Sequence, residues 1–288
     1  MHSNWIGITL RSFLAVGLSS LGLLTMAFVP TATAQEPAGQ PTDKQVLELR
    51  TYTLVDADAE ARLDQYLQSA LIPALVRQGL GPIGAFDQAP TTGAQGQASA
   101  EGRSGEVEIQ VMLLIPGSST QAVTGASAKL ANDHEYQSAA ADYMGVPAKQ
   151  PLIKRIRSEL LMSFDCWPQV AIPKQKQADK SRLFELRVYE SPTEHFGELK
   201  VEMFNAGEVP IFLDCDIMPV FMGQALIGDL QPNLTYMTVY DDDESRKAGW
   251  QRFVAHPDWK VLSGVEKYKG TVSKIHKSDW VPKDYSQL

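Results

Sequence analysis

Glutamate, arginine and tyrosine recur at alternate positions in two short stretches, Glu48, Arg50, Tyr52 and Glu185, Arg187, Tyr189. Residues two apart in an extended strand share a face, so each stretch presents a carboxylate, a guanidinium and a phenol side by side. A guanidinium forks onto carboxylate or phosphate oxygens, and a phenol both donates and accepts. The trio is therefore suited to a small anionic or polar ligand. The competing role is internal, because an unpaired buried ion costs several kcal/mol and an inward Arg would take the neighbouring Glu as its partner. Tyr236 and Tyr240, alternate residues of a later strand, are expected to line the same space. His256 precedes Pro257 and is expected to end a helix, where an imidazolium meets the C-terminal dipole; it completes the set of candidate pocket residues.

Other chemistries find little support. The histidines form no H-x-x-x-H pair, and no metal site is expected. The run Asp241, Asp242, Asp243, Glu244 fans around the first turn of a helix, so its four carboxylates do not meet one ion. The chain has no glycine-framed serine nucleophile, phosphate-cradling loop or nicotinamide fingerprint, and it implies no cofactor.

The elements that must position the two trios occur twice. Glu48 and Glu185 lie 137 positions apart, and the same offset relates Pro73 to Pro210 and Pro82 to Pro219, so the chain is a tandem duplication. In the first unit (45–164) a strand ends near Leu54, and Asp56 or Asp58 caps a helix with an apolar stripe at Leu63, Tyr66, Leu67, Ala70, Leu71 and Leu75. Pro73 should kink or divide that helix. A second strand from Pro82 leads into residues 88–105, which lack an apolar period and read as a flexible insertion. Strands at 107–115 and 152–164 flank further helices, and Lys154, Arg155 and Arg157 would protect the last strand as an edge.

Residues 165–182, with Pro168 and Pro173, read as a linker. The second unit (183–288) repeats the order. Ser191-Pro192-Thr193-Glu194 resembles a capping box ahead of a helix burying Phe196, Leu199, Met203 and Phe204. Strands are expected at 219–227, 234–240 and 268–276, with a helix between the last two whose apolar side is Trp250, Phe253 and Val254.

Residues 1–34 read as an export signal: Arg11, an apolar run from Ser12 to Val29, and Ala32-Thr33-Ala34 before the scissile bond. A polar tether, 35–44, follows. Cleavage after Ala34 would leave a periplasmic or secreted protein without a stable membrane anchor. The net charge of −8 becomes −9 once those residues, with one Arg and no acid, are gone. Such an acidic surface disfavours nucleic acid as a partner. Cys166 and Cys215 leave two readings open, one disulfide or two buried thiols.

Each unit reads strand, helix, strand, strand, helix, strand, the ferredoxin-like arrangement of an α+β protein. The Glu-Leu-Arg-x-Tyr strand, the proline-split helix, Gly228-Asp229-Leu230 and His256-Pro257-Asp258-Trp259-Lys260 together resemble the NIPSNAP family, a branch of the dimeric α/β-barrel superfamily. In the first unit Asp133-His134-Glu135-Tyr136-Gln137 takes the place of the later turn, and the insertion replaces Gly-Asp-Leu. The resemblance implies two ferredoxin-like units packed as an intramolecular dimeric α/β barrel, with the trios facing the space between two sheets. The function it implies is a small-molecule-binding or protein-interaction module with a pocket there, itself able to form a homo-oligomer. The alternative is a cofactor-independent monooxygenase using the same cavity.

Overall fold

The computed structural model describes residues 44–89 and 108–288. The export signal, nearly all of the tether and the insertion from residue 90 onward lie outside the described residues. The first half runs β1 (Val46–Leu54), α1 (Ala57–Tyr66), α2 (Ile72–Arg77), β2 (Gly84–Gln88), β3 (Gln110–Gly117), α3 (Thr120–Thr124), α4 (Ala126–Leu130), α5 (His134–Ala139), α6 (Ala141–Met144) and β4 (Ile153–Ser163). After α7 (Lys174–Gln177) the second half runs β5 (Leu183–Glu190), α8 (Glu194–Met203), α9 (Val209–Asp214), β6 (Met218–Ile227), β7 (Asn233–Tyr240), α10 (Asp243–Ala255), α11 (Pro257–Ser263) and β8 (Lys274–Pro282).

The 137-residue offset holds at the level of backbone. Asp56 caps α1, its Oδ1 accepting from Ala59 N at 2.8 Å. The helix then widens into a π turn, Leu67–Leu71, before Pro73 enters α2; α8 widens at Phe204–Glu208 before Pro210 enters α9. A proline lacks the amide that would continue the ladder, and the wider turn ahead of it absorbs the missing bond. Asp216 at φ 57° stands where Gly79 stands at φ 80°, so both halves leave this helix pair through a left-handed residue.

Several local expectations shift. The cap of α8 is Thr193, whose hydroxyl accepts from Phe196 N, and not Ser191. In α8 the inward positions are Gly197, Lys200 and Met203, while Phe196 and Leu199 are only half-buried. Val254 is exposed, leaving Trp250 and Phe253 as the inner side of α10. The last strand begins at Lys274; Tyr268 lies in a preceding 3-10 turn, and Trp280 belongs to the strand.

Among the described residues the strands form one closed antiparallel barrel, β1-β3-β2-β8-β5-β7-β6-β4, with β4 returning to β1. The first half supplies four consecutive strands, β4-β1-β3-β2, and the second half β8-β5-β7-β6. The two sheets join edge to edge in this closed barrel and do not enclose a space between two separate faces. One seam pairs Phe86 with Pro282 through Gln88 with Trp280, and the other pairs Leu160 with Ile227 through Ser163 with Gly223. Closure satisfies edge amides and carbonyls that two separate sheets would leave open. β4 is therefore an edge only along its charged first half.

The barrel interior is filled by Leu47, Leu49, Met112, Leu114, Leu161, Phe184, Leu186, Met237, Val239 and Trp280, with Leu288 packed against them. Alternation then sends Glu48, Arg50 and Tyr52 outward, where Tyr52 packs with Leu63 and Leu67 of the first-half helices. Glu185, Arg187 and Tyr189 likewise face the second-half helices, with Tyr189 packed among Phe204, Phe212 and Phe253. The expectation that the charged faces look into the inter-sheet space is thus corrected: the intervening leucines and Phe184 are the more apolar face and take the interior. The connection between halves is pinned, with Ala171 N donating to Val220 O at 2.8 Å and Gln175 Nε2 to Asp241 Oδ1 at 2.7 Å.

Candidate functional site

Because the trios lie in different helix–sheet layers, the candidate residues do not converge on one pocket. In the first half Arg50 is half-buried and donates from Nε to Glu48 Oε1 at 2.8 Å and from Nη2 to Glu48 Oε2 at 3.0 Å. Ser158 Oγ donates to the same carboxylate at 2.7 Å. Around Tyr52 the layer is aromatic: Tyr66 and Tyr143 stack at 3.7 Å between ring centroids, and the Tyr66 and Tyr136 hydroxyls are 3.0 Å apart. Burial pushes the Tyr52 phenol up, against the opposing charge of Arg50.

The second half is more deeply buried and more richly wired. Glu185 is 1% exposed yet accepts four times: from Arg187 Nε at 2.7 Å and Nη2 at 3.4 Å, from Arg246 Nη1 at 2.9 Å, and from Trp250 Nε1 at 2.9 Å. The Arg187 guanidinium also lies 3.4 Å from the centroid of the Trp250 ring and donates to the Tyr189 hydroxyl at 3.1 Å. Tyr189 and Tyr236 hydroxyls are 2.7 Å apart. Burial drives the Tyr236 phenol well up, and Tyr189 adds to it. Tyr240 borders the cluster; burial and the charge of Glu185 raise its phenol, and its hydroxyl accepts from Thr238 Oγ1 at 3.0 Å.

At the solvent side, Arg246 reaches Asp279 Oδ1 at 3.3 Å and also Asp243. Lys277 stands opposite Arg187 in the β5–β8 register, and burial followed by repulsion from Arg187 holds its amine below the ordinary lysine range. His256 is elsewhere. Its Nδ1 accepts from Asp258 N at 3.2 Å, so it caps the start of α11, whereas the sequence suggested a helix end alone. Cys166 and Cys215 are free thiols. Among the described residues no group of three or more His, Cys, Asp or Glu gathers as a metal site.

Sequence reasoning missed Trp250 as the lid on Arg187, Arg246 as the second cation on Glu185, and the Lys200–Glu208 ion pair at 2.7 Å. The first two depend on how α10 docks, which no periodicity reveals. The last was detectable, since the repeat offset places Lys200 opposite Leu63 and Glu208 opposite Leu71 in an apolar stripe.

A polar cluster clamped between a closed barrel and its outer helices defines an α+β protein of barrel type. Residues 184–287 match the NIPSNAP family model, so the second half carries a NIPSNAP domain. No curated protein matches the chain. Among solved structures, a Fusobacterium nucleatum protein described as a "putative monooxygenase" is similar over 83% of this chain and 92% of its own, at a TM-score of 0.53 and 8% identity. That likeness concerns the fold. A Lactobacillus acidophilus protein of the same description matches 83% of this chain and 94% of its own, at a TM-score of 0.47 and 10% identity. An uncharacterized NIPSNAP domain protein from Burkholderia xenovorans matches 35% of this chain and 95% of its own, at a TM-score of 0.31 and 19% identity.

Proposed function

We propose that the chain is a small-molecule-binding protein built from two tandem ferredoxin-like units, with its ligand site between β5, β8 and α10 in the second half. The strand orders β4-β1-β3-β2 and β8-β5-β7-β6, each with helices on one face, support the tandem reading. A single observation carries the binding reading. Lys277 has no hydrogen-bond or ion-pair partner among the described residues, yet it sits beside Arg187 and in the field of Arg246. Arg187, Arg246 and Lys247 share the carboxylates of Glu185, Asp243 and Asp279, and Lys277 is the fourth cation, left over, so the class of ligand that fits is a small organic anion. Trp250, already flat against a guanidinium, suits an aromatic one.

The test is calorimetric titration with benzoate. Lys277→Ala and Arg246→Ala should each weaken binding by about tenfold, the equivalent of one lost charged contact. Arg50→Ala, in the first-half layer, should not. Equal losses from all three variants, or no binding by the unaltered protein, would remove this reading.

A cofactor-independent monooxygenase acting at the same site is the second reading. It is favoured by the Tyr189–Tyr236 hydroxyl pair beside Arg187, able to exchange a proton with a bound phenol, and by the fold shared with the Fusobacterium protein. Oxygen uptake dependent on a phenolic ligand would select it.

A further inference from the structure

β4 is longer than the seam it makes with the second half. Its residues 160–163 pair with β6, whereas its register with β1 runs unbroken from Met162 down to Arg155, so the stretch ahead of Leu160 has a neighbour on one side only. Hydrogen-bond parity tells which groups are left over. Ser163 N donates to Gln45 O at 3.0 Å and Phe164 N to Met222 O at 3.1 Å, so odd residues of β4 bond towards β1 and even residues away from it. The amides and carbonyls of Ile156 and Ser158 therefore point out of the sheet edge, and among the described residues they meet no backbone partner. Residues 154–158 are exposed, Ile156 at 50%, and Ile227, opposite Leu160 at the end of β6, is 65% exposed.

The side chains decide what can pair there. Lys154, Arg155 and Arg157 make this edge basic on a chain whose net charge is −8. Arg157 Nε lies 3.2 Å from Glu159 Oε1, while Lys154 and Arg155 have no ion-pair partner among the described residues. A second copy fits badly. A symmetric pair centred on Ile156 sets Arg155 against Arg157, and one centred on Arg157 sets it against its own copy; like charges directly opposite destabilise a strand pair. Cations on an edge guard against self-association in this way, but a guard of one sign leaves the edge open to a strand of the other. We infer that the free edge of β4 docks a short extended segment of another protein, with acidic residues at alternate positions, which adds to the barrel as a strand. Its main chain bonds to Ile156 and Ser158, its carboxylates face Arg155 and Arg157, and an apolar residue between them packs on Ile156. This surface is separate from the ligand site between β5, β8 and α10 and does not depend on it.

The test is fluorescence anisotropy of a labelled synthetic peptide, Glu-Val-Glu-Ile-Glu-Val-Glu, with the full chain, beside the same peptide N-methylated at alternate amides. Methylation keeps every charge and removes the donors and the close approach that strand addition needs. The unmodified peptide should bind, and the methylated one should bind about tenfold more weakly or worse. Lys154→Glu/Arg155→Glu, which reverses two exposed charges that hold no partner, should melt with the unaltered protein and lose about tenfold in affinity; Arg155→Ala, the milder change, should lose several-fold. Equal affinity for the two peptides would reduce the contact to charge alone and overturn strand addition. No binding of the unmodified peptide would show that the cations only guard the edge, and would overturn the docking site. Sedimentation of the unaltered protein as a dimer that the peptide dissociates would make a second copy the occupant, and would overturn the assignment to an acidic partner.

Discussion

Glu185 shows what one residue can organise once it is buried with enough donors. Two guanidinium groups and an indole converge on a carboxylate that is 1% exposed, so its desolvation is offset by charge-assisted bonds on both oxygens. Arg187→Met removes one of these donors and also the group that fills the space beneath Trp250. It should cost about 3 kcal/mol, the low end for breaking a buried pair, because Arg246 and Trp250 remain. Replacing Glu185 and Arg187 together by leucine and methionine should cost less than the two single changes combined, and urea denaturation in a double-mutant cycle reads that coupling directly. Strict additivity would show that the two side chains are not energetic partners. The equivalent Arg50 is half-buried, so Arg50→Met should cost only about 1 kcal/mol.

At the scale of elements, the seam between β2 and β8 is fastened by a charged knot outside the barrel. Lys283 Nζ lies 2.7 Å from Glu60, 2.9 Å from Asp64 and 2.6 Å from Asp87, tying the segment after β8 to α1 and β2. Three carboxylates on one ammonium leave an excess of negative charge. Burial, partly countered by Lys283 and reinforced by Glu60, pushes Asp87 up to about 6. A carboxyl whose native pKa exceeds its unfolded value binds its proton more tightly in the folded state. Its contribution is therefore complete below about pH 4 and lost as the pH rises through 6. In Asp87→Asn that loss disappears, so the variant should gain about 1 kcal/mol on the unaltered protein between pH 4 and 7, after discounting for the partial exposure of the group. Urea midpoints across that range measure it, and a pH-independent difference would place Asp87 outside the knot.

The described residues make one closed barrel shared by both halves, and 44–89 and 108–288 belong to one compact unit. Each half alone would expose two strand edges, β2 and β4 in the first and β6 and β8 in the second. Calorimetry should therefore show one cooperative transition, with van't Hoff and calorimetric enthalpies in agreement. Two resolved transitions would mean that the seams are weak enough for the halves to melt separately.

The duplicated order of elements was legible from residues alone, because strand and helix periods, capping Asp56, and prolines spaced by 137 are local features that the backbone obeys wherever it folds. The Glu–Arg pairing within each trio was legible for the same reason, since alternation along a strand puts both side chains on one face. Which face turned inward was not, because a strand with leucine on one side and a Glu-Arg-Tyr trio on the other fits either a barrel interior or a helix layer until its neighbours are known. Tertiary structure decided this by closing the sheet edge to edge, which left a narrow interior for Leu47, Leu49, Phe184 and Leu186 and gave the charged faces to the helices. It also made the two trios unequal: α10 brings Arg246 and Trp250 onto Glu185 from some 60 residues away, a long-range contact that no local pattern encodes.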